Sequence, residues 1–262
     1  MTILQAILLA IVEGLTEYLP VSSTGHMVLC SALMHIEENN FTKLFEIAIQ
    51  FGAILAVVVV FWKKFFDFSR KDFYLKLAVA VIPALIFGKL FDDIIDENLG
   101  NPVIIAVIII LGGILLLVLD KLIDHGTIQE EVNISLPKAV VIGAFQCLAI
   151  LFPGLSRSAA TIIGGMQQGL SRRLAAEFSF FLAVPTMTAA TSYKLYQHVK
   201  ENGLLSGSEI QLLAIGNLVA FAVALIAIRF FVNYLSKHGF AVFGYYRIAI
   251  GVLFLCYFWM NQ

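Results

Sequence analysis

Glu13-Gly14-Leu15-Thr16-Glu17-Tyr18-Leu19-Pro20-Val21-Ser22-Ser23-Thr24-Gly25-His26 sets two carboxylates, a helix-stopping proline and a hydroxyl-rich turn at the end of an apolar run. The run covers 3–19 and is too short and interrupted to cross a bilayer cleanly, which takes about 20 apolar residues. A second such run, 136–152, also ends in a proline, followed by a polar turn: Pro153-Gly154-Leu155-Ser156-Arg157-Ser158. Polar backbone cannot face lipid, because every N–H and C=O there needs a partner. The two segments are therefore predicted as re-entrant loops between half-helices, enclosed by protein or lining a wet cavity.

Around them, six stretches are long and apolar enough to span: 44–62, 73–91, 102–120, 174–193, 210–231 and 241–260. Their apolar runs are continuous, with no period-two alternation, which excludes a membrane β-barrel. Composition agrees. Of 262 residues 60% are hydrophobic and 13% charged, whereas a soluble domain is roughly half apolar and about a quarter charged. A mean hydropathy of +0.91 excludes a soluble globular enzyme. A net charge of -1 gives no electrostatic basis for binding nucleic acid. The fold class is thus an all-α integral membrane protein of six transmembrane helices and two re-entrant helical hairpins.

Loop charges set the orientation. Lys63, Lys64, Arg70, Lys71 and Lys76 crowd the first connection, and alternation then puts Lys121, Lys138, Arg172, Arg173, Arg229 and Lys237 on the same side. Lys43, Lys89, Lys194 and Lys200 fall on the other, eleven against four. A cytoplasmic basic side leaves both termini outside, opens the Pro20 loop outward and brings the Pro153 loop in from the cytoplasm. The acidic connection holding Asp92, Asp93, Asp96 and Glu97 reads as a solvated external loop rather than a cation site. Cys30, Cys147 and Cys256 are odd in number with no CxxC pair, so they read as packing residues. The first lysine is Lys43, so no cleaved leader is expected.

The chain also resembles itself. Leu15, Pro20 and Ser23 align with Leu148, Pro153 and Ser156 at an offset of 133, and Phe45-Glu46-Ile47-Ala48 echoes Ala176-Glu177-Phe178-Ser179 at 131. Two repeats follow, about 1–122 and 136–262, within one membrane domain. Each holds one re-entrant element and three spans. Three is odd, so the second half is predicted upside down relative to the first, an architecture found in transporters.

Ionisable residues inside apolar stretches mark function. Glu13 and Glu17, four apart, share a helix face about 6 Å from each other. Like charges so placed need a shared proton or a hard cation such as Mg²⁺ or Ca²⁺ between them. Ser22, Ser23, Thr24 and His26 offer hydrogen bonds, a nucleophile and a base. In the second turn Gly154 allows close backbone approach, and Ser156, Arg157 and Ser158 open a half-helix whose N–H groups suit phosphate. The Arg157 fork can hold two phosphate oxygens, with Thr161 one turn on, or it can pair with Glu13, Glu17 or Glu177.

These two segments resemble the two signatures of the bacterial undecaprenyl-diphosphate phosphatases, the bacitracin-resistance family. Ala176-Glu177-Phe178-Ser179-Phe180-Phe181-Leu182-Ala183-Val184-Pro185 matches a third stretch of that family, and the resemblance covers essentially the whole chain. It implies a multi-pass protein of the bacterial inner membrane with its site open to the outer face. It implies hydrolysis of a polyprenyl diphosphate lipid to the monophosphate carrier of cell-wall synthesis and inorganic phosphate, with a divalent metal, Mg²⁺ or Ca²⁺. By motif match Glu13 and Glu17 hold metal and diphosphate, Ser23 and His26 serve attack and proton transfer, and Arg157 clamps phosphate beside Ser156, Ser158 and Thr161. The motif leaves open which of Ser23 and His26 attacks. Ser23 has a counterpart in Ser156, whereas His26 faces Ala159 in the repeat, which makes His26 the better candidate for chemistry that happens once. Yet a hydroxyl nucleophile needs a base nearby, and His26 lies three residues on. Ser23 is therefore expected to attack with His26 as its base, the rival being a phosphohistidine at His26. The type-2 phosphatidic-acid phosphatases share a Ser-Gly-His element, but they place a His six residues after their Arg, where this chain has Ile163. A lipid flippase on the same repeat is the remaining rival, and it would not need the Glu13, Glu17, Ser23, His26 set. Oligomeric state stays open, a homodimer among the options.

Overall fold

The computed structural model describes residues 1–91, 101–122, 126–235 and 238–260, with the side chains of 120–122 left aside. The acidic connection at Asp92, Asp93, Asp96 and Glu97, the Lys121 side chain and Lys237 lie outside the described residues. Everything described is helix, turn or loop, apart from an isolated bridge between Ile128 and Leu170. In chain order the helices are α1 (Ile3–Thr16), α2 (Ser23–Leu33), α3 (Asn40–Ala48), α4 (Gln50–Val60), α5 (Trp62–Phe65) and α6 (Lys71–Leu90). They continue as α7 (Pro102–Leu122), α8 (Leu136–Leu151), α9 (Arg157–Gln167), α10 (Arg172–Asn202), α11 (Gly207–Leu235) and α12 (Ala241–Met260).

Among the described residues, six segments are long and apolar enough to cross a membrane: Asn40–Val60, Lys71–Leu90, Pro102–Leu119, Arg172–Asn202, Gly207–Leu235 and Ala241–Met260. These are the six spans expected from hydropathy. The first is α3 and α4 joined through Ile49. Outward faces are apolar, with Ile226 70% and Leu253 64% exposed, the reverse of a water-soluble surface. The 14-residue α1 and 16-residue α8 are too short to span, as the sequence indicated.

Sequence chemistry explains the ends of these helices. Thr2 and Gln5 form a reciprocal capping box at α1. Ser22, Asn39, Ser156 and Ser171 each accept a backbone N–H at the start of α2, α3, α9 and α10. Pro20 and Pro153 lie in the turns after α1 and α8, where no helical N–H is needed.

Small residues let the backbones close up. A Cβ on Gly143 of α8 would stand 1.9 Å from the Ala80 carbonyl oxygen of α6, so only glycine permits that crossing. The pairings come in sets: α1 packs on α11 as α8 packs on α6, α4 on α11 as α10 on α6, and α7 runs against α12. α10 is the central helix. Its segment from Leu174 to Ala183 is wholly buried, and Phe178, Phe180 and Phe181 lock into the core.

At the end of the bundle carrying the basic connection, Lys64 bonds Glu177 (3.0 Å), Arg70 bonds Glu131 (2.7 Å) and Arg173 bonds Glu177 (2.9 Å). Lys76 caps the carbonyls of Glu131 and Val132. Glu177, one of three carboxylates considered for Arg157, is thus held elsewhere.

Candidate functional site

The site lies where the two proline turns meet. α1 ends in a turn carrying Glu13 and Glu17, fully and nearly fully buried. The Thr16 hydroxyl returns to the Val12 carbonyl, so it does not compete with the carboxylates. Glu17 joins the halves. Its Oε1 accepts from Arg157 Nη2 at 2.7 Å, and its Oε2 accepts from the Ser23 hydroxyl. Ser23 and Arg157 are the first residues of α2 and α9. Two helix N-termini, each with unpaired N–H groups and a positive dipole end, therefore converge on one carboxylate, a setting that suits an anion.

Arg157 reaches further. Its Nη1 donates to the Ser179 carbonyl (3.0 Å) and Ser179 Oγ (3.4 Å), and Ser179 Oγ lies 2.6 Å from Thr161 Oγ1. Thr161 also bonds the Arg157 and Ser158 carbonyls. The Ser158 hydroxyl crosses to the Tyr18 carbonyl of the first turn at 3.0 Å. Ser22 and Ser156 spend their hydroxyls on the N–H groups of Gly25 and Ala159, both at 3.2 Å. Most hydroxyls expected to bind phosphate thus hold the turns in shape. Thr24 is half-buried, and Gly154 sits at φ +99°, a conformation glycine takes without strain.

The two turns resemble each other at their caps, in a register one residue from the sequence alignment. Ser22 (φ 72°) and Ser156 (φ 81°) share both the left-handed backbone and the cap, so they are equivalent, and Ser23 corresponds to Arg157 instead. An offset of 134 at the caps replaces 133 at the prolines because the Pro153 turn is one residue longer between its proline and its cap. His26 then faces Ala160.

His26 is buried, with Nδ1 2.7 Å from the Ser22 carbonyl oxygen and Nε2 2.8 Å from the Tyr246 hydroxyl. Both nitrogens have partners, and neither is Ser23. The group beside the Ser23 hydroxyl is Glu17.

Three residues escaped the sequence reading: Ser179, Tyr246 and Arg247. Arg247 is wholly buried on α12 and donates to the carbonyls of Ile109, Pro20, Leu155 and Gly154 at 2.8–3.1 Å. It ties both turns to α7, and Gly112 leaves it room, since a Cβ there would lie 2.1 Å from Nη2. An arginine inside a spanning stretch was itself the available signal.

Glu13 completes the site. Neither of its buried oxygens accepts from a donor group, its carboxyl lies within proton-sharing reach of Glu17, and its other charged neighbours are Arg157 and Glu46. An unpartnered buried carboxylate beside a second one fits a hard divalent cation. Among the described residues no group of three or more His, Cys, Asp or Glu side chains could hold a metal. A cation on Glu13 and Glu17 would draw its other ligands from substrate oxygens and water, as Mg²⁺ does in phosphoryl-transfer sites.

The family description Bacitracin resistance protein BacA matches residues 6–253. The chain belongs to the BacA family. Within it, an undecaprenyl-diphosphatase of Porphyromonas gingivalis is 52% identical, over 97% of this chain and 96% of its own. An undecaprenyl-diphosphatase of Flavobacterium psychrophilum is 53% identical over 97% and 95%, and one of Aquifex aeolicus 43% over 98% and 99%. BacA membership thus covers nearly the full length, so the turns that build the site fall inside the matched region.

Proposed function

We propose that this chain is a membrane phosphatase that hydrolyses undecaprenyl diphosphate to undecaprenyl phosphate and inorganic phosphate, recycling the lipid carrier. Full-length similarity to proteins bearing that name supports the activity. The observation that carries the mechanism is Glu17, bonded at once by Ser23 and Arg157. A carrier that only moved lipid phosphate would need no hydroxyl held on a buried carboxylate.

In this mechanism the terminal phosphate of the substrate takes the Arg157 fork, competing with Glu17 for it. Ser23 Oγ attacks the terminal phosphorus, the bond to the bridging oxygen breaks, and undecaprenyl phosphate leaves. The Ser23 proton passes to Glu17, so Glu17 replaces His26 as the base for attack. Water then hydrolyses the phosphoserine, its proton passing to His26, and phosphate departs. The N–H groups opening α2 and α9 face the charge that develops on the phosphoryl oxygens. A divalent cation on Glu13 and Glu17 would neutralise part of that charge.

The paired packing of α1 on α11 and α8 on α6 supports two inverted repeats, about 1–122 and 136–262, with the proline turns re-entrant. The excess of basic residues on the side of Lys63 to Lys76 supports a bacterial inner-membrane orientation with both termini outside and the site open outward.

The deciding experiment traps the intermediate. Purified protein with a labelled polyprenyl diphosphate and Mg²⁺ should release phosphate, and His26→Ala should accumulate an acid-stable phosphoenzyme that Ser23→Ala lacks. An acid-labile phosphoenzyme retained in Ser23→Ala would make His26 the nucleophile. No phosphate release above the enzyme-free control would sink the phosphatase reading.

A further inference from the structure

The His26 hydrogen bonds fix more than its position. A carbonyl oxygen only accepts, so Nδ1, 2.7 Å from the Ser22 carbonyl, must carry the hydrogen. In the neutral ring Nε2 is then the lone-pair nitrogen, and the Tyr246 hydroxyl 2.8 Å away donates to it. The two ring planes are within 5° of parallel with centroids 5.6 Å apart, so the rings also pack against each other. Tyr246 comes from α12, 220 residues away in sequence. Its backbone is pinned by the adjacent Arg247, bonded to four carbonyls. His26 is 6% exposed and Tyr246 44%, so the imidazole is the more enclosed of the two rings.

We propose that Tyr246 relays the proton of the second step of the phosphatase reaction: its hydroxyl, bonded to the one lone pair of His26 Nε2, passes its own proton to that nitrogen as it takes one from water. The inference rests on the phosphatase reading above, in which His26 accepts a proton from water. The water of that step would meet the Tyr246 oxygen rather than Nε2, since the phenol already occupies the nitrogen's lone pair. Removing the hydroxyl leaves the ring free to rotate about its Nδ1 contact and removes one partner of a buried nitrogen.

Tyr246→Phe keeps the ring and its packing and deletes only the hydroxyl. With purified full-length protein, a polyprenyl diphosphate and Mg²⁺, kcat should fall about tenfold, the size of one well-formed hydrogen bond. KM and the detergent melting temperature should stay near wild type, a split that lost folding would not produce. In a His26→Ala background the same substitution should cost nothing further, because the hydroxyl acts only through His26. Wild-type kcat in Tyr246→Phe, or an equal fold-loss in both backgrounds, would overturn the inference while leaving the phosphatase reading intact. Wild-type turnover in His26→Ala would overturn both the His26 assignment and this one.

Discussion

Glu17 accepts from two donors at once, and that constraint makes it sensitive to a change of a single atom. Glutamine keeps the size but replaces one oxygen by an NH₂, so either Ser23 or Arg157 would meet a donor instead of an acceptor. Glu17→Gln should fold and lose at least about a hundredfold in kcat/KM, as a lost charge-assisted contact in a dry site does. Near wild-type turnover would remove Glu17 from the chemistry. Arg157 spreads its fork between Glu17 and Ser179, a span that one ammonium cannot copy. Arg157→Lys should therefore lose about a hundred- to a thousandfold with its melting temperature preserved, and full activity would reduce Arg157 to a diffuse charge. Glu13 differs from both because its oxygens accept from no donor group. If it holds a cation, Glu13→Gln should raise the Mg²⁺ concentration needed for half-maximal rate, read by titrating metal at saturating lipid. An unchanged Mg²⁺ curve would leave Glu13 as a proton-sharing neighbour of Glu17.

Between residue and fold, the two proline turns are built by a guanidinium. Pro20, Gly154 and Leu155 turn their carbonyls onto Arg247, leaving the opposite edge of each turn for N–H groups. Arg247→Met would strand these carbonyls and that of Ile109 in the bundle. At about 1–3 kcal/mol for each buried group left unpaired, the loss is a large part of a domain's stability. The expected result is a strongly lowered melting temperature or no folded protein, and a Met variant that melts like wild type would show the turns to be self-supporting. The helices themselves were legible. Hydropathy found six spans and two short apolar helices, and Pro20 and Pro153 marked where the short ones stop. The first segment's break at Ile49 was not legible, since nothing in the composition changes there. Nor was the repeat register, because identity of letters paired Ser23 with Ser156, whereas φ and capping pair Ser22 with it. The convergence of Ser23 and Arg157 on Glu17 depends on a contact across 140 residues, which local pattern does not encode. Arg247 was legible in principle, as an arginine amid apolar residues. Its role was not, for it serves backbone carbonyls, which sequence does not display.

For the whole molecule, orientation decides whether a turn buried in the bundle meets its lipid from the outer or the inner leaflet. Loop charge is the determinant. Lys64, Arg70 and Arg173 gather with Glu131 and Glu177 at one end, and Lys63 and Lys71 extend the same basic rim. Carboxylates count little in the insertion rule, whereas lysine and arginine are retained on the cytoplasmic side. The pairing that neutralises this end in the folded state therefore does not cancel its topogenic effect. α10 runs from that end to Asn202, so the turn after it emerges on the opposite side. Two exposed positions report the two sides: Ser69 in the basic connection, and Leu204, 89% exposed, beyond α10. In a background with Cys30, Cys147 and Cys256 replaced, Leu204→Cys should react with a membrane-impermeant thiol reagent on cells whose inner membrane is intact. Ser69→Cys should react only after that membrane is opened. The reverse pattern would place the basic end outside and turn the site inward, making any hydrolysis a reaction of the cytoplasmic leaflet. Labelling of both positions in intact cells would be stranger, for it requires two populations of opposite orientation. The halves of the proposed inverted repeat would differ in direction more than in shape, which permits that outcome, and the eleven-to-four charge bias predicts against it.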